Sequence, residues 1–231
     1  MTTDKMIWLS YPLDPRGPRP PAIPAPSLVD LYTVEQDDAS VQTLTVASHT
    51  GTHLDTSAHI MNGGTYITDF SPESLVFHHP VVIDLNLRDK QTVQPSHLEP
   101  FAPLIKTADI VMFRFGYGLV RQNDPARFSS CCPGFGKDAA QWLLDCNESL
   151  RAVGMDVPSF ACIADLDITM QAHNVLLERP DCAFLILEEM NLDNDLSGLV
   201  EVRVNPWMVL GMHSGPCTIV GVTKTQGASH A

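Results

Sequence analysis

Short apolar runs, broken by glycine, proline and acidic residues, set the rhythm of this chain. Residues 6–13 read as a first short strand. Prolines at 12, 15, 18, 20, 21, 24 and 26 follow. Proline fixes φ and lacks an N–H, so 12–26 is neither helix nor central strand. It reads as an extended arm that hugs the domain or crosses to a partner subunit. Polar residues 30–38 lead into an alternating strand at 41–47. After a polar cluster, 60–74 reads as a loop containing Gly63-Gly64. Residues 80–85 (PVVIDL) and 109–115 (DIVMFRF) are apolar runs of strand length, expected as buried strands. A short helix is expected at 96–104 and an irregular excursion at 120–135. Ala140, Leu143, Leu144 and Leu150 recur at helical spacing with Trp142 alongside, predicting a helix over 137–153 that Gly154 ends. Then come a strand at 160–163, a helix at 170–178, strands at 183–187, 199–209 and 217–223, and a frayed tail at 224–231.

The length of 231 residues suits one domain, spanning 1–231, and 44% hydrophobic content is ordinary for a globular protein. No apolar run approaches 18 residues, so no membrane span is expected. The first residues show no basic stretch followed by an apolar one, so no secretory signal is expected. A net charge of −13 argues against nucleic acid and anionic membrane as partners. Cys131, Cys132, Cys146, Cys162, Cys182 and Cys217 form no C-x-x-C pair and read as thiols of a reducing cytoplasm.

The chemistry is concentrated at 48–59, SHTGTHLDTSAH. His49, His53, Asp55 and His59 fall at even spacings and would share one face of an extended chain. Ten residues of strand span roughly 33 Å, too far for one ion, so the segment must turn. Gly51 and its small neighbours permit that, as a tight turn or a short helix start. Neutral imidazoles beside a carboxylate suit Zn²⁺, Mn²⁺ or Fe²⁺ and fit Ca²⁺ or Mg²⁺ poorly. A single loop rarely completes such a site. His173, on the helix at 170–178, and Glu188, where the apolar run LIL ends, are the downstream candidates. Glu189 is a rival to Glu188. His78, His79, His97, His213 and His230 read as structural or surface residues.

His49-x-Gly51-Thr52-His53-x-Asp55-x-x-x-His59 resembles the His-x-Gly-Thr-His-x-Asp-x-Pro-x-His signature of a cyclase family of metal-dependent hydrolases that includes bacterial kynurenine formamidase and isatin hydrolase. Ser57 stands where that family usually has proline. The resemblance extends from Ile7 to about Val222. It implies an α/β fold: a single compact domain with a mixed sheet flanked by helices, of the swivelling β/β/α kind. It also implies metal ligation by His49, His53, Asp55, His173 and Glu188, with the aspartate bridging two ions. Arg114 falls where the family has a strand ending in arginine and glycine. The family's Gly-x-Asp turn is matched only loosely, by Asp165 or Asp167. Members associate, so a homodimer or homotetramer is expected.

The function expected is hydrolysis of an amide in a small aromatic substrate, N-formyl-kynurenine-like, with one or two Zn or Mn ions per subunit. His59, left outside the five ligands, is the candidate general acid/base. Trp8, Phe70, Tyr117 and Trp207 are aromatic pocket candidates. Isatin or lactone hydrolysis is the alternative within the family. A non-catalytic metal- or ligand-binding module is the alternative outside it, and a binder has no need of His59. A serine hydrolase would want a Gly-x-Ser-x-Gly elbow, which the sequence lacks.

Overall fold

The apolar run at 110–114 is the strip around which the sheet is built. In the computed structural model, which describes residues 4–161, 166–179 and 183–224, it forms a strand with a parallel neighbour on each side. In chain order the strands are β1 (Asp4–Trp8), β2 (Ser27–Tyr32), β3 (Val41–Thr45), β4 (His53–Asp55), β5 (Val76–Phe77), β6 (Pro80–Asp84) and β7 (Thr92–Val93). They continue with β8 (Ile110–Arg114), β9 (Gly134–Phe135), β10 (Ala152–Met155), β11 (Leu185–Glu188), β12 (Leu199–Pro206) and β13 (Ser214–Lys224). Among the described residues, one 9-stranded sheet runs β5-β12-β13-β4-β11-β10-β8-β6, and β1 pairs with β13.

The sheet is mixed. From β6 through β8 and β10 to β11 the strands are parallel, whereas β4, β13, β12, β5 and β1 pair antiparallel. Strands covered on both faces read as continuous apolar runs, and β8, β10 and β11 do. Alternate side chains feed two cores. Val111, Phe113, Val153 and Ile186 meet Leu143 and Leu176 of the helices Lys137–Cys146 and Leu166–Leu177. Ile110, Met112, Leu185 and Leu187 meet Leu9, Leu54 and Ile219 on the other face. Phe135 anchors the helical side, stacked on Phe160 with ring centroids 4.5 Å apart and tilted against Phe113 at 4.7 Å.

Several sequence expectations change. The helix at 137–153 stops at Cys146, where Asn147 turns the chain by donating to the carbonyls of Ile105 and Ala108 at 2.7 Å. The remaining small apolar residues extend into β10, and Gly154 lies inside that strand. The run at 80–85 is an edge strand, β6, rather than a buried one. The excursion at 120–135 is ordered as the helices Gly118–Asn123 and Pro125–Cys131 and the strand β9, with Asp124 capping the second helix through Arg127 N–H. The strand expected at 41–47 exists as β3 but, among the described residues, pairs only with β2, and every residue of both strands is exposed. Residues 162–163, Cys162, Asp165, Cys182, His230 and the tail at 225–231 lie outside the described residues. Among the described residues no helix is long and apolar enough to cross a membrane.

Candidate metal centre

The polar turn after β3 carries the chain from the exposed hairpin into the middle of the sheet. Gly51 sits at φ +64, the left-handed region that a Cβ disfavours. That reversal sets the His49 ring edge-on to His53, with centroids 5.2 Å apart. The segment is not a helix start. It enters β4 directly, so His53 and Asp55, two residues apart in extended chain, share a face. A 3-10 turn at Ser57–His59 then folds His59 back to 4.5 Å from the His49 ring.

β4 lies between β11 and β13, and its register supplies the distal half. His53 pairs with Glu188 in β11. Glu188 places Oε2 3.1 Å from His53 Nε2 and Oε1 3.2 Å from His173 Nε2, while Phe160 N–H donates to Oε1 at 2.6 Å. His173 comes from the helix Leu166–Leu177 packed over this face. Glu189 turns away at φ 54 and pairs with Arg121 at 2.8 Å, whose guanidinium lies 4.0 Å over the Tyr11 ring. Thr52 Oγ1 ties the two strand ends together by donating to Glu189 O and accepting from Tyr11 N–H.

The structure therefore gathers His49, His53, Asp55, His173 and Glu188 in two triads sharing Asp55. These are His49/His53/Asp55 and Asp55/His173/Glu188, each with donor atoms within 4.8 Å of one another. Apart from His49, which is partly exposed, they are buried. Burial alone would disfavour their charged forms. The neighbours reverse that. Burial lowers the pKa of His53, but the carboxylate of Glu188 raises it further, to about 9. Against its own burial, the imidazoles of His173 and His53 bring Glu188 down to about 2. Asp55 is lowered likewise by His49 and His53 despite its burial. For the half-buried His59, burial dominates and holds its pKa below the ordinary value.

The donor set fits a divalent cation. His53 Nδ1 donates to Gly51 O at 2.8 Å, so a cation that displaces the second ring proton meets the lone pair of Nε2. That nitrogen faces a carboxylate oxygen without hydrogen-bonding geometry, and Asp55 Oδ1, 3.2 Å from His49 Nδ1, is in the same position. Two buried acceptors aimed at each other are costly unless a proton or a cation lies between them. Three imidazoles and two carboxylates suit Zn²⁺, Mn²⁺ or Fe²⁺.

Sequence reading missed two participants. His213 immediately precedes β13 and stands beside His49 and His59, with ring centroids 6.4 and 5.5 Å away. Nothing near it in the sequence looks like a ligand pattern, and only the pairing of β13 with β4 brings it there. Asp156 closes the triplet Gly154-Met155-Asp156, a better Gly-x-Asp than Asp165 or Asp167. Its carboxylate accepts N–H bonds from Phe115, Gly116 and Tyr117 at 2.8–3.0 Å. Arg114 lies at the rim, bonding Asp84 and the carbonyl of Leu192. The exposed His78 pairs with Glu201, and His97 accepts from Gln94 N–H, both away from the cluster. Of the aromatic candidates, Phe70 and Tyr117 are buried in the core. Trp8 and Trp207 flank a cavity of about 430 Å³ beside Thr52 and Pro216.

A mixed sheet with a His/Asp/Glu cluster gathered from β4, β11, the turn before β4 and the helix Leu166–Leu177 defines an α/β protein with a candidate metal site. Residues 7–161 match the family model described as "Putative cyclase", and the chain belongs to that family. It is 29% identical to Cyclase-like protein 2 of Arabidopsis thaliana over 74% of this chain, a match that spans 61% of that relative's length. It is 26% identical to a kynurenine formamidase of Bacillus cereus over 95% of this chain and 98% of the relative. Among solved structures, isatin hydrolase A from Ralstonia solanacearum superposes with a TM-score of 0.79 at 16% identity, covering 95% of this chain and 92% of that one. A potential metal-dependent hydrolase with cyclase activity gives 0.75 at 20% identity, covering 97% and 100%. These likenesses establish the fold.

Proposed function

We propose that this protein is a metal-dependent hydrolase of small-molecule carbon–nitrogen bonds, with an N-formyl-kynurenine-like formamide as the first substrate to test. Isatin-type cyclic amides and lactones come next. The observation that carries this reading is the pair of triads sharing Asp55, with His59 beside them and outside both. The full-length similarity to a kynurenine formamidase supports the formamide.

His49, His53, Asp55, His173 and Glu188 would hold one or two ions, Zn or Mn. An ion held there supplies Lewis acidity that polarises a carbonyl and makes water easier to deprotonate. The chain's own groups do the rest. The hydrogen bond to Gly51 O fixes the His53 ring, and Phe160 N–H fixes the Glu188 carboxylate. His59, with its pKa held down by burial, is neutral and able to accept a proton from attacking water. It then delivers that proton to the leaving nitrogen. The reading also includes association as a homodimer or homotetramer, to which the exposed β2–β3 hairpin lends itself. It includes a reducing, cytoplasmic setting, in keeping with the unbridged thiols of Cys146 and Cys217.

The test is His59→Ala. Metal content should stay at the wild-type level, and kcat on the best substrate of a formamide, isatin and lactone panel should fall roughly 10²–10⁴-fold. Near-equal rates with metal retained would remove the proton-transfer role.

A further inference from the structure

We infer that His213 completes a second cation site with His49 and His59, made of three imidazoles, whose occupancy silences the enzyme. One donor nitrogen from each of the three rings lies within 4.8 Å of the other two. His213 is held in register with the motif. Thr56 donates to its carbonyl from both N–H, at 3.1 Å, and Oγ1, at 2.8 Å, while the next residue, Ser214, pairs with Asp55. His213 Nδ1 is 2.9 Å from Ser214 Oγ, which leaves Nε2 to coordinate. His49 turns Nδ1 toward Asp55, so Nε2 at the far edge of its ring serves the second group, and with both sites filled that nitrogen gives up its proton to solvent and the ring joins the two sites as imidazolate. The His59 and His213 rings stand 5.5 Å apart and nearly parallel, so modest rotation brings both nitrogens onto one ion.

The two kinds of site differ in chemistry and access. Asp55, His173 and Glu188 are fully buried and include two carboxylates, whereas His49, His59 and His213 are all partly exposed and include none. Three ring nitrogens select zinc, copper or nickel over calcium and magnesium. The carboxylate-rich buried set fills first, and the imidazole set fills only when such a metal is in excess. An ion there occupies the lone pair of His59. This consequence rests on the proton-transfer role proposed for His59, whereas the existence of the site does not.

The experiment loads the purified holoenzyme by dialysis against graded Zn²⁺ and counts bound metal per chain, for wild type and His213→Gln. Wild type should take up one further, weaker equivalent. In the variant that equivalent should weaken by more than ~10-fold, the low end of what even an outer-sphere partner contributes, while the tight metal stays. Equal uptake in both proteins, no further equivalent in wild type, or loss of tight metal from the variant would each overturn the site. Should the variant fail to fold, carbethoxylation of wild-type histidines, mapped by mass spectrometry, gives the same answer. Excess Zn²⁺ must shield His213, and an unshielded His213 overturns the site. In parallel, filling the weak site should lower kcat by the roughly 10²–10⁴-fold that loss of a general acid/base carries. A His213-dependent equivalent that leaves kcat unchanged would keep the site and overturn the silencing, and the role of His59 with it.

Discussion

Glu188 and Glu189 are adjacent, both buried, and chemically equivalent, yet they face different partners. The register of β11 against β4 puts Glu188 opposite His53, and the left-handed turn at Glu189 sends the next carboxylate to Arg121. The two therefore separate in mutagenesis. Glu188→Gln should weaken metal binding at least ~10-fold, because a ligand charge is lost and the amide group leaves His53 and His173 poorly matched. Glu189→Gln should keep the metal and lower unfolding stability by roughly 3 kcal/mol, since it leaves Arg121 without its counter-charge in a desolvated place. Metal content and urea unfolding of both variants measure this, and a reversed ranking would mean that the strand end is shifted by one residue.

At the scale of elements, the clamp made by Asp156 connects distant parts. Its carboxylate gathers three successive N–H groups where β8 ends, around Gly116 at φ +77, and so sets the start of the helix that carries Arg121. Burial raises its pKa from 3.8 to about 6, against the pull of those amides. A carboxyl that keeps its proton longer when folded makes the folded chain bind more protons between those two values. Its contribution to stability is complete below about pH 3.8, is lost as the pH rises to about 6, and changes no further above that. The loss is about 3 kcal/mol. Urea unfolding of the metal-free protein from pH 4 to 7 should show this decline in wild type and not in Asp156→Asn. Parallel curves would place the titrating group elsewhere.

The same elements show what the sequence could and could not disclose. β8, β11 and the helix around His173 are legible because apolar spacing alone marks them, and the spacing from His49 to His59 marks the proximal half of the centre. Of the two readings of the motif, tight turn or helix start, the structure takes the turn, because Gly51 lets His49 reach His53 without coiling the residues between. The first half of β10, residues 152–153, falls within the expected helix, because small apolar residues suit either state until parallel neighbours claim them. His213 and Asp156 act through pairings across the sheet, which no local window contains.

For the molecule as a whole, the β2–β3 hairpin is the feature out of keeping with a lone chain. It exposes Leu28, Val29, Leu31 and Tyr32, each by about half or more, and a two-stranded hairpin without a covering layer is marginal in water. A second copy is the simplest cover. Sedimentation equilibrium should give at least twice the 25.3 kDa of one chain, falling to one chain in Val29→Asp/Leu31→Asp. A monomeric wild type at tens of micromolar would remove association from the reading.

The position of β4 also governs the time course of folding. That strand is inserted between β11 and β13, so its two neighbours are made more than a hundred residues later in the chain. Closing such loops is slow, and the expectation is that the transition state forms before the side chains that complete the centre are ordered. Metal therefore arrives too late to hasten refolding. Added Zn²⁺ should leave the refolding rate unchanged and slow unfolding instead, the pattern of an interaction absent from the transition state. Stopped-flow refolding and unfolding, with and without metal, distinguish this from a metal-nucleated route, in which refolding would accelerate. On that outcome an ion would act as a latch on a finished structure, and the lifetime of the folded protein, more than the ease of reaching it, would answer to the supply of metal.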